Sequence, residues 1–268
     1  MSSPSVSAIK KLTPAQMVRC LDELRAEYEN AEVIYRRKDR IVIRWREAAS
    51  DESLIIKMWS RPDLKGRLRG LLHISSCHHE WRTLVRLSAV NMAAPHPLGY
   101  CRLTPSIAGY TEALFIEDLG ECASATDYLK QLIHTGQEQK VLRFENVMIE
   151  MTEQILTAGM VDVDHGLANI VMQASGRPVR LDFELSRRVI WPRLFPIMYG
   201  DMLGRLIVLH AFAVQPHTDR TTRFAERLCE HLHPPRRSLV QAGIHIRKYL
   251  KEQFENTGID TRLTLPWD

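Results

Sequence analysis

Cysteine is scarce in this sequence of 268 residues, and its distribution excludes two classes of protein. Five cysteines are scattered along the chain, and no two of them form a Cys-x-x-Cys pair. An odd number of cysteines without a regular spacing argues against a disulfide framework and against a structural zinc site. The adjacent histidines His78 and His79 also lack the His-Glu-x-x-His frame of a catalytic zinc site. The thiols are therefore expected to be reduced.

Long apolar runs are missing as well. The best candidate, Met202–Val214, is short for a bilayer span and is interrupted by Arg205 and His210. The N-terminal residues Met-Ser-Ser-Pro-Ser lack the apolar core of a signal peptide. A formal net charge of +4 permits an anionic substrate or membrane surface, and we predict no nucleic-acid partner. We therefore expect a cytoplasmic protein, with peripheral contact at the inner face of the membrane left open.

The hydrophobic pattern changes along the chain from the period of strands to the period of helices. An amphipathic helix is predicted after Thr13 and Pro14, which suit an N-cap and a first helical position. Alternating segments then predict the strands Glu32–Arg36, Arg40–Arg46 and Ser53–Trp59. Apolar residues at three- and four-residue spacings predict the helices Ser124–Ile133, Gln137–Thr157, Asp219–Leu232 and Ser238–Phe254, and one that begins at Asp201. This order predicts an α+β protein, with a β-rich domain over residues 1–118 and a helical domain over residues 119–268.

Three polar residues in the middle of the chain have a spacing that suggests chemistry. Asn169 lies five residues after Asp164, and Asp182 lies thirteen residues after Asn169. The turn Ser175–Pro178 predicts a hairpin of two short strands that returns Asp182 to the end where Asn169 and Asp164 lie. A carboxylate that positions a hydroxyl, with an Asn and an Asp that hold Mg²⁺, is the equipment of phosphoryl transfer. The alternative is an ordinary hairpin with polar ends, because short motifs also match by chance.

The first half of the chain offers matching groups. Lys57 ends the apolar strand Leu-Ile-Ile-Lys, and Glu80 lies early in a predicted helix; in a kinase-like lobe the two form an ion pair that holds nucleotide phosphates. Each also has an ordinary interpretation, as a solvated strand lysine and a surface glutamate. Backbone groups near Glu117–Leu119, after another apolar strand, can meet an adenine edge. The basic segment Leu64–Leu72 is predicted to be a solvated helix or loop, or an edge for a phosphate-rich substrate.

Taken together, these residues and the phrases around them resemble the bacterial lipopolysaccharide core (Kdo/heptose) kinase family of the protein-kinase-like superfamily. The resemblance covers roughly residues 33–212 and is carried by a few phrases: Arg36-Arg37 before an Ile-Val-Ile-Arg strand, Leu-Ile-Ile-Lys57, Glu80-Trp81-Arg82, Pro95–Gly99, Leu-Asp-Phe-Glu184 and Asp201-Met-Leu-Gly204. It implies a bilobed fold with a small β-rich N-lobe and a helical C-lobe that bind ATP and Mg²⁺.

The resemblance also implies a role for each site residue. Lys57 would hold phosphate, Glu80 would hold Lys57, Asp164 would orient the acceptor hydroxyl, and Asn169 and Asp182 would bind the metal. Asp201 would brace the catalytic loop from the start of a helix. The implied activity moves the γ-phosphoryl group of ATP to a hydroxyl of a lipopolysaccharide core sugar or a similar glycoconjugate. A kinase for a protein or small molecule, and a pseudokinase that acts as a binding module, stay open.

Three departures from the usual kinase pattern bear on these roles. No glycine occurs before Gly66, so a glycine-rich phosphate loop is missing and Arg36–Arg40 would have to cover the phosphates. Asp162-Val163 replaces the usual His-Arg before the catalytic aspartate, so Asp162 competes with Asp164 for that role. Glu184 stands where glycine is usual, and either reaches the metal or is exposed.

Overall fold

A computed structural model describes residues 11–46, 53–60, 75–189 and 191–267. The basic segment Leu64–Leu72 lies outside the described residues. The chain divides into two compact units. The N-terminal unit comprises residues Met1–Arg86 and Pro95–Leu119, and the C-terminal unit comprises Leu87–Ala94 and Gly120–Asp268.

The N-terminal unit is built on an antiparallel sheet of five strands in the order β1-β2-β3-β5-β4. The strands are β1 (Glu32–Arg36), β2 (Arg40–Arg46), β3 (Ser53–Ser60), β4 (Pro97–Ile107) and β5 (Tyr110–Glu117). Within the part of this unit that the structure describes, two helices accompany the sheet, α1 (Pro14–Ala26) and α2 (Ser76–Ala89). The strands predicted between residues 32 and 59 are confirmed to within one residue.

Helix α1 covers one face of this sheet. Thr13 and Gln16 form a capping box at its start, and Pro14 occupies the first turn, as the sequence predicts. The apolar side of α1 joins the core with side chains from three strands: Cys20, Leu21, Leu24, Ile41, Ile43, Ile56, Met58, Ala113 and Phe115. Successive side chains of a strand alternate between its two faces. Since Ile56 and Met58 face α1, Lys57 lies on the opposite face.

The C-terminal unit is mostly helical. Its helices are α3 (Ala125–His134), α4 (Glu138–Thr157), α5 (Pro196–Val214), α6 (Thr218–Leu232) and α7 (Arg236–Thr257). Its strands are β6 (Cys122–Ser124), β7 (Met160–Asp162), β8 (Ile170–Gln173), β9 (Pro178–Arg180) and β10 (Ser186–Arg188). β7 pairs with β10, and the other three form a sheet in the order β6-β8-β9, which contains the predicted hairpin.

Helix α5 is the most apolar element of the C-terminal unit. By length and composition it could cross a bilayer, with a mean hydropathy of 1.4, but 67% of its apolar window is buried in the unit. A core helix of a globular protein has the same properties. The helix begins at Pro196 and not at the predicted Asp201, because proline is well tolerated in a first helical turn.

The contact between α5 and α7 depends on two glycines one turn apart. A Cβ atom on Gly200 would lie 2.5 Å from the carbonyl oxygen of Ser238, and one on Gly204 would lie 2.9 Å from that of Ala242. These distances are shorter than a carbon–oxygen contact allows, so only glycine lets the two backbones approach this closely.

We predict that Gly200→Ala destabilises the protein although alanine is the better helix former. Helix propensity favours alanine by about 1 kcal/mol, whereas overpacking against a backbone carbonyl costs about 1–3 kcal/mol. The control is Gly243→Ala in α7, where the new Cβ would meet only the flexible guanidinium of Arg247 at 3.3 Å. Thermal unfolding followed by circular dichroism should show a lower Tm for Gly200→Ala and an equal or higher Tm for Gly243→Ala. Equal shifts in both variants would contradict the close helix contact.

Candidate active site

Lys57 and Glu80 form the ion pair that the sequence predicts. The Lys57 Nζ atom lies 2.7 Å from Glu80 Oε1, and the two side chains are 11% and 1% exposed. Solvent hardly reaches this ion pair, so the side chains packed around it hold the two charges in place. Glu80 Oε2 is also buried and has no hydrogen-bond partner among the described residues. The pair therefore retains an acceptor oxygen for a further donor or a cation.

The start of α2, which carries Glu80, is tied to the sheet by a buried carboxylate that sequence reasoning missed. Glu112 Oε1 accepts hydrogen bonds from Ser75 Oγ at 2.7 Å and from Tyr100 Oη at 2.8 Å. Ser75 Oγ in turn accepts from the backbone N–H of His78 in the first turn of α2. Burial and the neighbouring Glu112 raise the pKa of Tyr100, so its phenol stays a donor to that carboxylate. The sequence marks Glu112 only as a charge within an apolar strand.

At the end of β5, where we predict that an adenine edge binds, some of the polar groups are already used in hydrogen bonds within the N-terminal unit. The Glu117 backbone N–H donates to the His96 carbonyl oxygen at 3.0 Å. The next residue, Asp118, accepts from Arg44 Nε and Ser53 Oγ, both at 2.8 Å, and its side chain is 5% exposed. Asp118 thus anchors this end of β5 to β2 and β3. The predicted nucleotide contacts of Glu117 and Leu119 stay predictions.

In the C-terminal unit, the loop after β7 is organised by Arg180 of β9. Its Nη2 atom lies 2.7 Å from Asp162 Oδ2, and both side chains are fully buried. The same guanidinium donates to the backbone carbonyl oxygens of Asp164 and Asn169 at 3.1 and 3.2 Å. Arg180 therefore holds both ends of the loop. Sequence reasoning missed it, because an arginine in a short strand is usually exposed. The only signal in the sequence for this role of Arg180 is that it lies two residues before Asp182.

Asp164 has a different environment from Asp162. Its side chain is 33% exposed, whereas that of Asp162 has no exposed surface. Asn169 Nδ2 donates to Asp164 Oδ2 at 2.7 Å, and Arg205 Nη2 lies 3.3 Å from Asp164 Oδ1. Asp164 is thus oriented and open to solvent, while Asp162 is enclosed and paired.

The contacts of Asn169 also determine which atom of its side-chain amide faces away from Asp164. Asn169 Nδ2 donates both to the carboxylate and to the backbone carbonyl of Asp164, and these groups can only accept. The amide oxygen therefore points the other way. Asp182 adopts a left-handed backbone conformation, with φ of +56°, and its carboxylate accepts from the backbone N–H of Glu184. An amide oxygen and a carboxylate suit Mg²⁺, which prefers oxygen ligands, so the donor set fits this metal.

Buried His165 follows Asp164 and supports the loop. The Thr152 hydroxyl donates to the Met148 carbonyl oxygen, so it can only accept from His165 Nε2 at 3.0 Å, which fixes the proton on Nε2. Nδ1 is buried and has no hydrogen-bond partner in the described chain. Burial, together with the positive charge of Arg180, lowers the pKa of His165 to about 3.

The described contacts of Asp201 are with α7 and not with the loop after β7, which the resemblance implied that it would brace. Its Oδ1 atom accepts from Gln241 Nε2 at 2.8 Å and lies 3.3 Å from His245 Nδ1, and both partners belong to α7. Because α5 begins at Pro196, Asp201 lies in its second turn and not at its start. Arg205, one turn later on α5, contacts the loop instead.

We predict that the buried His165 makes stability fall with pH below about 6.5. The unfolded chain binds a proton at this histidine near that pH, whereas the folded chain does not until about pH 3. The free energy of unfolding should therefore decrease by up to about 1.4 kcal/mol per pH unit from this group as the pH falls through that window. Urea unfolding between about pH 7 and pH 5 should show a shallower slope for His165→Gln. The exposed His231→Gln is the control, and equal slopes for His165→Gln and the wild type would contradict the burial.

Comparisons with known proteins establish the fold. No protein-family model matches the sequence, and no curated protein matches it. A solved structure of WaaP in complex with acyl carrier protein is similar, with a TM-score of 0.59 and 14% sequence identity. The match covers 92% of this chain and 98% of that chain. The α+β protein-kinase-like fold, with a β-rich N-terminal part and a helical C-terminal part, is therefore confirmed.

Proposed function

We propose that the protein is an ATP- and Mg²⁺-dependent phosphotransferase. Its acceptor is a hydroxyl, and a sugar of the lipopolysaccharide core or a similar glycoconjugate is the favoured substrate class. The kinase-like fold, shared with WaaP, supports the reaction type. The observation that carries the proposal is the difference between two aspartates at the end of β7 and in the loop after it. Asp162 is enclosed, whereas Asp164 is oriented and partly open to solvent.

Asp164 is the residue that receives the acceptor hydroxyl. Asn169 and Arg205 hold its carboxylate in place, and its partial exposure gives a hydroxyl access. Asp162 has no such access and serves with Arg180 as the anchor of the loop. A hydroxyl bound to Asp164 is oriented for attack on a phosphoryl group, and the carboxylate can take its proton.

Asn169 and Asp182 hold the metal in this proposal, and Lys57 holds phosphate oxygens. The hydrogen bonds to Asp164 turn the Asn169 amide oxygen away from that carboxylate, which makes it available as a ligand. Bound ATP would supply the phosphoryl group, and bound Mg²⁺ would neutralise its charge. Glu80 keeps the Lys57 ammonium fixed, so little entropy is lost when the lysine contacts phosphate.

The turn between β1 and β2 contributes side-chain cations in place of a glycine-rich loop. The Arg37 N–H donates to the Arg40 carbonyl oxygen at 2.7 Å, which closes a tight turn. Arg36, Arg37 and Lys38 are exposed, and none of the three forms an ion pair within the described residues. Guanidinium and ammonium groups bind phosphate through charge and several donors, so this turn is suited to contact phosphates without glycine.

A second candidate is a binding module that retains the fold without efficient turnover. The glycine-free turn favours it, because the backbone conformations in which successive N–H groups cradle phosphates are most easily adopted by glycine. A thermal-shift titration with ATP and Mg²⁺, followed by a measurement of ATP consumption, separates the two. Stabilisation with turnover supports the enzyme, and stabilisation without turnover in the presence of every acceptor tested supports the module.

The acceptor class is tested by product analysis. The protein is incubated with ATP, Mg²⁺ and lipopolysaccharide core oligosaccharides that lack phosphate, and the products are examined by mass spectrometry. One added phosphate on a core sugar is expected. Phosphate transfer to a peptide or small-molecule acceptor, with none to the sugars, would overturn the substrate class but not the phosphotransferase.

We predict opposite signatures for the two aspartates. Asp164→Ala should lower turnover by about 10²–10⁴-fold with nearly unchanged ATP affinity, because its interaction forms mainly in the transition state. Asp162→Ala leaves the buried Arg180 charge unpaired and should lower the free energy of unfolding by about 3–5 kcal/mol. Steady-state kinetics and urea unfolding of both variants provide the comparison. The reverse pattern would shift the catalytic assignment by two residues.

We predict that Asp182→Asn and Asn169→Ala remove the magnesium dependence of nucleotide binding while the fold is retained. In the wild type, ATP with Mg²⁺ should raise the Tm more than ATP with a chelator does, because metal binds the folded state. Both variants should lose this difference. The control is Asp219→Asn, an exposed aspartate of α6, which should retain it. A wild-type magnesium effect in Asp182→Asn would remove Asp182 from the metal site.

A further inference from the structure

A short segment of the C-terminal unit exposes several large apolar side chains. It follows the candidate metal ligand Asp182 and spans residues 185–197, of which residue 190 lies outside the described residues. The exposed side chains are Leu185 (49%), Trp191 (66%), Leu194 (66%), Phe195 (47%) and Ile197 (64%). Single exposed apolar residues are ordinary, but a group of five in one stretch marks an interaction surface. We name these five residues the Trp191 surface.

The backbone that presents the Trp191 surface is held in a defined shape. Pro192–Leu194 form a single helical turn, closed by the N–H of Leu194 on the Trp191 carbonyl oxygen at 2.9 Å. The N–H of Phe195 donates to the Pro192 carbonyl oxygen at 3.0 Å, and Pro196 begins α5 directly afterwards. The apolar side chains therefore project from a closed turn, and the exposure of Trp191 and Leu194 is a property of the folded chain.

Arginines surround the Trp191 surface. Arg187, Arg188 and Arg193 belong to the same segment, and all three are exposed. Arg193 Nη2 donates to the Leu232 carbonyl oxygen at 3.3 Å, which places the turn between α6 and α7 beside the segment. That turn leads to Arg236 and Arg237, which are also exposed. None of these five arginines forms an ion pair within the part of the chain that the structure describes.

The acidic residue that shares a cavity with Trp191 and Leu194 is already paired. Glu153 lines a cavity of about 530 Å³ together with Trp191 and Leu194, and its carboxylate contacts His231 at 2.8 Å. The arginine charge around the apolar residues is therefore left for an external partner.

We propose that the Trp191 surface docks on the anionic surface of a lipid bilayer. Tryptophan and other large apolar residues next to arginines are the combination that binds the boundary between headgroups and acyl chains. Each arginine near such a surface adds electrostatic attraction to anionic lipids. A protein partner would need a complementary groove for side chains that project from a turn, whereas a bilayer accepts them without one. The inference does not depend on the proposed phosphotransfer, and its test uses no nucleotide.

The experiment is sedimentation of the full chain with vesicles. One set contains phosphatidylcholine and phosphatidylglycerol in equal parts, and the other contains phosphatidylcholine alone. The wild type should bind the anionic vesicles, and added salt should weaken the binding. Tryptophan fluorescence should shift to shorter wavelength on binding, and Trp191→Phe should lose most of this shift while it remains bound.

Two double variants separate the apolar and the charged contributions. Trp191→Ala with Leu194→Ala should weaken binding by about tenfold or more, because both side chains insert. Arg187→Gln with Arg188→Gln should weaken it by about fivefold for each arginine. The apolar control is Val240→Ala with Ile244→Ala, two residues of α7 that are 53% and 52% exposed. The charge control is Arg223→Gln with Arg262→Gln, which removes the same net charge elsewhere in the C-terminal unit.

The controls should bind as the wild type does. Equal losses in the variants and their controls would overturn the inference, because binding would then follow overall charge or apolar content. Failure of the wild type to bind either set of vesicles would also overturn it, and the Trp191 surface would then be assigned to a protein partner.

Discussion

The candidate active site of the C-terminal unit depends on one buried ion pair, Asp162 with Arg180. Neither side chain has any exposed surface, so each charge has lost its hydration and relies on the other for compensation. Two further donors of Arg180 are used on the backbone carbonyls of Asp164 and Asn169, while its buried Nε has no hydrogen-bond partner among the described residues. One guanidinium thus couples the end of β7, the exposed aspartate and the start of β8. Removal of either partner would leave a buried charge and loosen all three together.

The pair also explains why two aspartates separated by one residue differ so much. Alternate residues of an extended segment face the same way, which is why sequence alone could not separate them. The Asp164 N–H donates to Asp162 Oδ1, so the chain turns between them and sends the second carboxylate outward. Arg205 and Asn169 then meet it there. Position within a turn, and not residue type, separates the anchor from the candidate base.

Much of the fold could be predicted from the sequence, because local patterns determine it. The alternation of Ser53–Ser60 and the helical spacing in Glu138–Thr157 gave those elements nearly to the residue. The pairing of Lys57 with Glu80 followed from the resemblance to a kinase-like lobe, and the structure contains this ion pair. Arg180, Glu112 and His165 could not be predicted as buried, because only tertiary packing removes such polar groups from water. The start of α5 was misplaced, because Pro196 occupies the first turn of the helix, where proline is well tolerated.

Asn169 carries a constraint that has consequences over evolutionary time. Its side chain donates to Asp164 through nitrogen and presents oxygen in the opposite direction, so the position needs a donor and an acceptor on one short branch. Aspartate lacks the donor and would repel Asp164, serine cannot reach both ways, and glutamine is longer by one methylene. For the proposed role of Asn169 in metal binding, this position should tolerate no drift among descendants of this protein.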